Sequence, residues 1–489
     1  MKRRDFLKLS ATGVATIVVG SHLPFLGAKN AFGATQTLDI TITDALKDMV
    51  THNSINTAQC YHWIYKMSAD GVAIPPECPG PTIVAVKGDS ITLNITNTLD
   101  EPHSFFIPGS LPTDPVMFDS GPIPPNGTFT GTFTASQSGA HLYYDNLNAP
   151  VNRVMGLHGA LVVRPAQPAA GQNFTPYDNP TPHVQGIFND LGNPNVWPGL
   201  RWEDGDATTN TPACRSYIWL YHTPSPNLFA EVGNLAPGVI YPAQQFMDKI
   251  ARDPFSPTRN NGLPQYFTIN GQSGFMSHFS PAITPMSRVG EPQVIHILNA
   301  GVQTVSHHIH LNHFFISSIN GAPNPNPVWV DVYGIKPMEK IDYLYPMMRP
   351  PDMANVRGIG RPDQPLLTTA GQFMWPPQQE MQTFIPPLGT FAQDINGNPV
   401  ELGQRLSPLC YPGHDHLEPS QTAQGGMYNC GLISGVYVIG DRNAQAQGLG
   451  PWMNFPMDAD FASMYRNIRG INVGGVDGTR ECSGPRPVA

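Results

Sequence analysis

Residues 79–99 read PGPTIVAVKGDSITLNITNTL. Within them Ile91, Leu93 and Ile95 alternate with Thr92, Asn94 and Thr96. A period of two puts the apolar set on one face of a strand and the polar set on the other, so the stretch predicts half-buried β-structure. The runs end at Gly, Pro, Asn or Asp, the residues that turn a chain between strands.

The same patterning recurs outward, at GTFTGTFTA (127–135) and GALVVRP (159–165). After Pro165 a Pro/Gly/Asn-rich region runs to about Gly262 and holds one good strand, RSYIWLYHT (215–223), expected to be an edge strand on a long linker. A second series follows at QYFTINGQSG, EPQVIHILNAG, HHIHLNHFFI, VWVDVYG and GLISGVYVIG, ending at Gly440. Residues 78–109 resemble 283–313, and GAHLYYDNLNAP with MGLHGALVV resembles YPGHDHLEP with CGLISGVYV. A repeat on this scale implies two like domains. The expected division is 35–166 and 265–440, with a linker at 167–264 and a tail at 441–489. A Pro/Met-rich insertion at about 324–404 is too long for a plain connection and is expected to be a lid or functional segment.

At 489 residues the chain exceeds what one core usually supports. Charged residues are 13%, about half the common share, and Pro (52) and Gly (47) are abundant, as in turn-rich β proteins. A net charge of −9 without a basic cluster beyond the N-terminus excludes nucleic acid as the expected partner. Arg3 and Arg4 precede an apolar run broken by Ser21, His22 and Pro24, and small residues occupy 31–34. This pattern predicts a twin-arginine export signal over 1–34, a periplasmic or extracellular location, and no membrane-spanning segment after processing. Six cysteines in an oxidising compartment favour disulfides, and proximity in sequence pairs Cys60 with Cys78 and Cys410 with Cys430.

PGPTIVAVKGDSITLNITNTL, IPPNGTFTGTFTASQSGAHLYY and GLHGALVV resemble the first cupredoxin domain of multicopper oxidases. FTING, HHIHLNH and HDHLEP resemble the last. The resemblance implies an all-β fold of two cupredoxin-like Greek-key sandwiches, closest in layout to the two-domain members, some of which assemble as homotrimers. It also implies a blue type 1 copper inside a domain and further copper between domains. The ligand positions have changed, however. The cysteine that defines a blue site falls on Asp415, and the second imidazole falls on Ser420. First-domain ligands fall on Phe106, Pro108, Tyr144 and Asn146, and another in the last domain on Asn312. A type 1 centre requires thiolate ligation, so neither it nor an ordinary laccase cluster is expected.

In the arrangement that the resemblance implies, His307 and Asp415 lie inside the barrel and His310, His414 and His416 on the interdomain side. Asp415 is expected to hydrogen-bond His307, and the repeat places His103 and Asp145 in the same relation; both pairs read as structural relics of type 1 sites. His310, His414 and His416 would give three imidazoles and an open position, suited to copper foremost, with zinc and iron as alternatives. Asn312 would hold a water beside them. The same histidines also read as hydrogen-bonded interface residues without metal. Glu418 is a general base or a solvated loop residue. His308 and His313 are read as facing away from His310, as extra ligands or surface residues. His141 and His158 are read as packing or interface residues, and His62, His183, His222, His278 and His296 carry no assigned role. Three functions compete: a mononuclear copper-dependent oxidoreductase acting on a small molecule or metal ion, a metal-free pseudo-oxidase serving as a scaffold, and a conventional multicopper oxidase.

Overall fold

In the computed structural model the first half of the chain forms β1 (Thr35–Val50), β2 (Thr57–Ala69), β3 (Gly80–Val86), β4 (Ser90–Asn97), β5 (Thr128–Thr134), β6 (Gly139–Tyr144), the short helix α1 (Val151–Val154) and β7 (His158–Arg164). The second half forms β8 (Arg215–His222), β9 (Pro292–Asn299), β10 (Val305–Ile309), β11 (Phe314–Ile319), β12 (Val332–Ile335), β13 (Lys340–Pro346), β14 (Cys410–Asp415), α2 (Glu418–Thr422) and β15 (Ile433–Asp441). The structure describes residues 35–165, 172–191, 215–250, 266–346 and 410–441 with short gaps, and isolated strands at 16–18, 391–393, 399–401, 453–454 and 479–481.

The alternation read in residues 90–97 is realised in β4, where Ile91, Leu93 and Ile95 are buried between half-buried polar neighbours. Strands β2, β1, β4 and β5 lie side by side in one sheet, and β3, β7 and β6 in a second. The second half repeats the plan with β8, β9, β13 and β11 in one sheet and β15, β14, β10 and β12 in another. The parallel pairs coincide as well. β1 runs parallel to β4 and β3 to β7, as β8 does to β9 and Met286–Val289 to β15.

One buried asparagine per half fixes the turn after the shared strand. Asn97 Nδ2 donates to the Glu101 and Ile123 carbonyls at 2.8 and 3.0 Å, and Asn299 Nδ2 to those of Gln303 and Ile335 at 2.8 and 3.1 Å. The repeat is thus preserved in hydrogen bonds as well as in pattern. The two halves share one apolar core, in which Leu38, Trp63 and Leu161 join Trp219, Ile295 and Tyr343. Arg153 ties them further by donating to the carbonyls of Ala300 and Gly301.

Several expectations change. β8 is integrated into the second sandwich along its length, parallel to β9 from Arg215 to Tyr221. Within the expected insertion, Val332–Ile335 and Lys340–Pro346 are strands of the second sandwich, and residues 347–390 lie outside the described residues. Cys60, Cys78 and Cys430 are not joined in disulfides. Cys60 packs in the main core, whereas Cys78 packs with Ala45 and Ile64. In the β14–β15 hairpin Cys410 is opposite Tyr437, while Cys430 precedes Ile433, the partner of His414. Cys410 is four residues from the His414–Ile433 pair, about 13 Å of strand at about 3.3 Å per residue, and Cys430 lies beyond that pair, where a disulfide needs Cα atoms within about 7 Å. The expected export signal lies outside the described residues apart from 16–18, and no described helix is long and apolar enough to cross a membrane.

Candidate metal centre

β10 and β14 pair antiparallel with His307 opposite Asp415 and His308 opposite His414. Residues directly opposite share a face, and the pleat repeats every two residues. His308, His310, His414 and His416 therefore project from one face, which corrects the placement of His308 away from His310. His308, His414 and His416 bring one donor atom each within 4.8 Å of one another. His310 joins them through a 2.8 Å contact between its Nε2 and that of His414. His313 instead stacks on Trp329, with ring centroids 5.5 Å apart.

Backbone carbonyls set two of the tautomers. His308 Nδ1 donates to the Asp331 carbonyl at 3.0 Å and His414 Nδ1 to that of Asp415 at 3.2 Å. A carbonyl only accepts, so each Nδ1 carries the ring proton and each Nε2 keeps its lone pair. Partial burial and the neighbouring imidazoles lower the pKa of His310 and bring that of His414 down to about 4, which keeps both rings neutral at neutral pH. His416 is exposed and leaves one side of the group open to solvent. Asp331, Asp415 and Tyr428 make the side contacts, so the cluster is assembled within the second sandwich, and no described residue of the first hydrogen-bonds to it. Asn312 and the Glu418 side chain lie outside the described residues.

The two expected His–Asp pairs differ. His103 Nδ1 donates to Asp145 Oδ2 at 2.7 Å with both side chains fully buried. Ser104 Oγ, Asn152 Nδ2 and the Leu147 N–H also donate to this carboxylate, at 2.8, 3.0 and 2.8 Å. His307 makes no hydrogen bond to Asp415, contrary to expectation; its Nε2 meets Ser434 Oγ at 2.8 Å. The Asp415 carboxylate accepts instead from Ser306 N of β10 at 2.7 Å and, at the start of α2, from Leu417 N at 3.2 Å and Ser420 Oγ at 2.7 Å. Free N–H groups at a helix start attract a carboxylate. Burial raises the Asp415 pKa against the pull of these donors.

Asn152 escaped the sequence reading. Its signal was present, since a short helix with a polar donor follows each aspartate, Asn152 in α1 and Ser420 in α2. Where the resemblance would place first-domain imidazoles, Phe106 and Tyr144 are register partners and pack edge to face at 5.3 Å. A separate group of buried histidines, His62, His158 and His222, has one ring nitrogen each on a backbone carbonyl, at 3.1, 2.7 and 2.7 Å.

Residues 56–168 match the family model described as multicopper oxidase. This region is a multicopper oxidase domain. The chain is 35% identical over 98 residues to a monocopper oxidase-like protein of Arabidopsis thaliana, covering 19% of this chain and 16% of that one. It is 27% identical over 172 residues to copper resistance protein A of Escherichia coli, covering 34% and 26%. The chain thus matches only about a sixth to a quarter of the length of these curated relatives. Among solved structures, the blue copper oxidase of Nitrosomonas europaea is similar at 17% identity and a TM-score of 0.47, covering 83% of this chain and 86% of that one.

Proposed function

We propose that this protein binds one copper ion at His308, His414 and His416, with His310 at its side, and acts as an oxidoreductase at that mononuclear centre. The observation that carries the reading is the convergence of three imidazole donors within 4.8 Å, two of them held by backbone carbonyls in the tautomer that a metal requires. Imidazole sets of this kind suit copper, zinc or iron; the multicopper oxidase match of residues 56–168 favours copper. A copper ion there would supply one-electron exchange and polarise a ligand at its open position. The chain's own part is to keep the rings neutral and oriented and, through exposed His416, to leave one side accessible to a small molecule or metal ion. Export through the twin-arginine signal at Arg3 and Arg4 belongs to the same proposal, and a chain with both changed to Lys should then stay in the cytoplasm.

A second reading, a metal-free scaffold, draws support from the His310–His414 contact, which satisfies two of the donor atoms without metal. Metal content and the visible spectrum of the copper-loaded, desalted protein decide between them. About one copper per chain without an intense blue band, lost on changing His414 and His416 to Ala, supports the metal centre. A wild-type chain that retains no copper, zinc or iron refutes it in favour of the scaffold.

A further inference from the structure

We propose that Tyr428 is the positioning residue that aims His414 at the metal, an inference that rests on the metal-binding reading above. The Tyr428 hydroxyl lies 2.5 Å from His414 Nδ1, and the two ring centroids are 4.6 Å apart. The same nitrogen reaches the Asp415 carbonyl at 3.2 Å. Because the carbonyl accepts the Nδ1 proton, the tyrosine oxygen receives it as a second acceptor, and the ring is clamped between two oxygens on its outer edge. His414 Nε2 then presents its lone pair on the opposite edge, the one that meets His310. Metal-binding histidines are held through their second nitrogen in this manner.

The backbone supports a positioning role. Tyr428 has φ 55°, in the left-handed region that bulky side chains avoid, and such a conformation persists only where its surroundings impose it. Here four hydrogen bonds impose it. Tyr428 N donates to Gln421 O at 3.1 Å, Gly431 N to Tyr428 O at 3.0 Å, His52 N to Asn429 O at 2.7 Å and Phe267 N to Cys430 O at 2.8 Å. Gly431 seats the turn closely on α2, since an added Cβ there would lie only 2.3 Å from the Ser420 carbonyl oxygen. The turn is pinned from the end of β1, from the segment before residue 268 and from α2, and it delivers the tyrosine ring against His414.

The test compares copper affinity and the Cu(II) paramagnetic resonance spectrum of the full chain in wild type, Tyr428→Phe and Tyr428→Gly. Removing the hydroxyl in Tyr428→Phe is expected to weaken copper binding by about tenfold or more and to change the hyperfine pattern, with the melting temperature of the metal-free protein unchanged. Tyr428→Gly, which adopts this φ freely, is expected to weaken binding at least as much without lowering that melting temperature. Wild-type affinity and spectrum in Tyr428→Phe would overturn the role of Tyr428 while leaving the metal centre standing, as would a lowered melting temperature with an unchanged spectrum. Failure of the wild-type chain to bind copper would overturn the metal reading itself.

Discussion

His103 Nδ1 and Asp145 Oδ2 meet at 2.7 Å with both side chains fully buried in the first sandwich. A buried carboxylate persists only when its oxygens are supplied with donors, and here four are present. In the second sandwich His307 and Asp415 make no such bond; His307 meets Ser434, and Asp415 accepts from Ser306 and from Ser420 of α2. In both halves the carboxylate has organised a hydrogen-bonded cap on the helix or turn that follows it.

Asp145→Ala should therefore destabilise the protein by about 3 kcal/mol, because it strands several buried donors together. Urea denaturation at neutral pH measures this. A loss under about 0.5 kcal/mol would mean that the network contributes nothing beyond packing.

Acid should unfold the protein early. Burial is the main cause holding His62, His141 and His158 down to about 3 from 6.5. Below pH 6.5 the unfolded chain takes up protons that these folded sites refuse, so stability is full above that pH and is lost progressively toward pH 3. Each group costs about 2 kcal/mol at pH 5. Denaturation midpoints should fall steeply between pH 6.5 and 4, and a flat profile would contradict the burial of these rings in neutral form.

Arg153 joins the two halves through the Ala300 and Gly301 carbonyls. Its replacement by Met keeps the apolar stem and removes the donors, and should cost about 2 kcal/mol, the range for hydrogen bonds from a charged group. Calorimetry of Arg153→Met, with Arg153→Lys as the partial donor, checks the size. Equal melting temperatures in all three proteins would show that the shared core alone holds the halves together.

Thiol titration addresses the cysteines. Burial raises the pKa of Cys60 well above its usual value and that of Cys430 to about 12, so the native protein should react slowly. Denatured without reductant, it should release the thiols of Cys60, Cys78 and Cys430. Finding none would restore the disulfides expected from sequence proximity.

Much of this architecture is local in origin. Ile91, Leu93 and Ile95 specify one face of β4, and the match of 78–109 to 283–313 specifies a second sandwich, because strand periodicity and turn residues act over a few positions. Asp415 and Ser420, at the positions where the resemblance would put type 1 ligands, were likewise legible in sequence alone. Even His308 was within reach, since two residues from His310 means the same face. Other features depended on which strands pair and where turns aim. His307 facing Ser434, Cys410 and Cys430 at opposite ends of a hairpin, and Tyr428 clamping His414 from a left-handed turn are all contacts between segments whose spacing carries no period. Period fixes which way a side chain points from its own strand; only the assembled sheets and their turns fix what it meets.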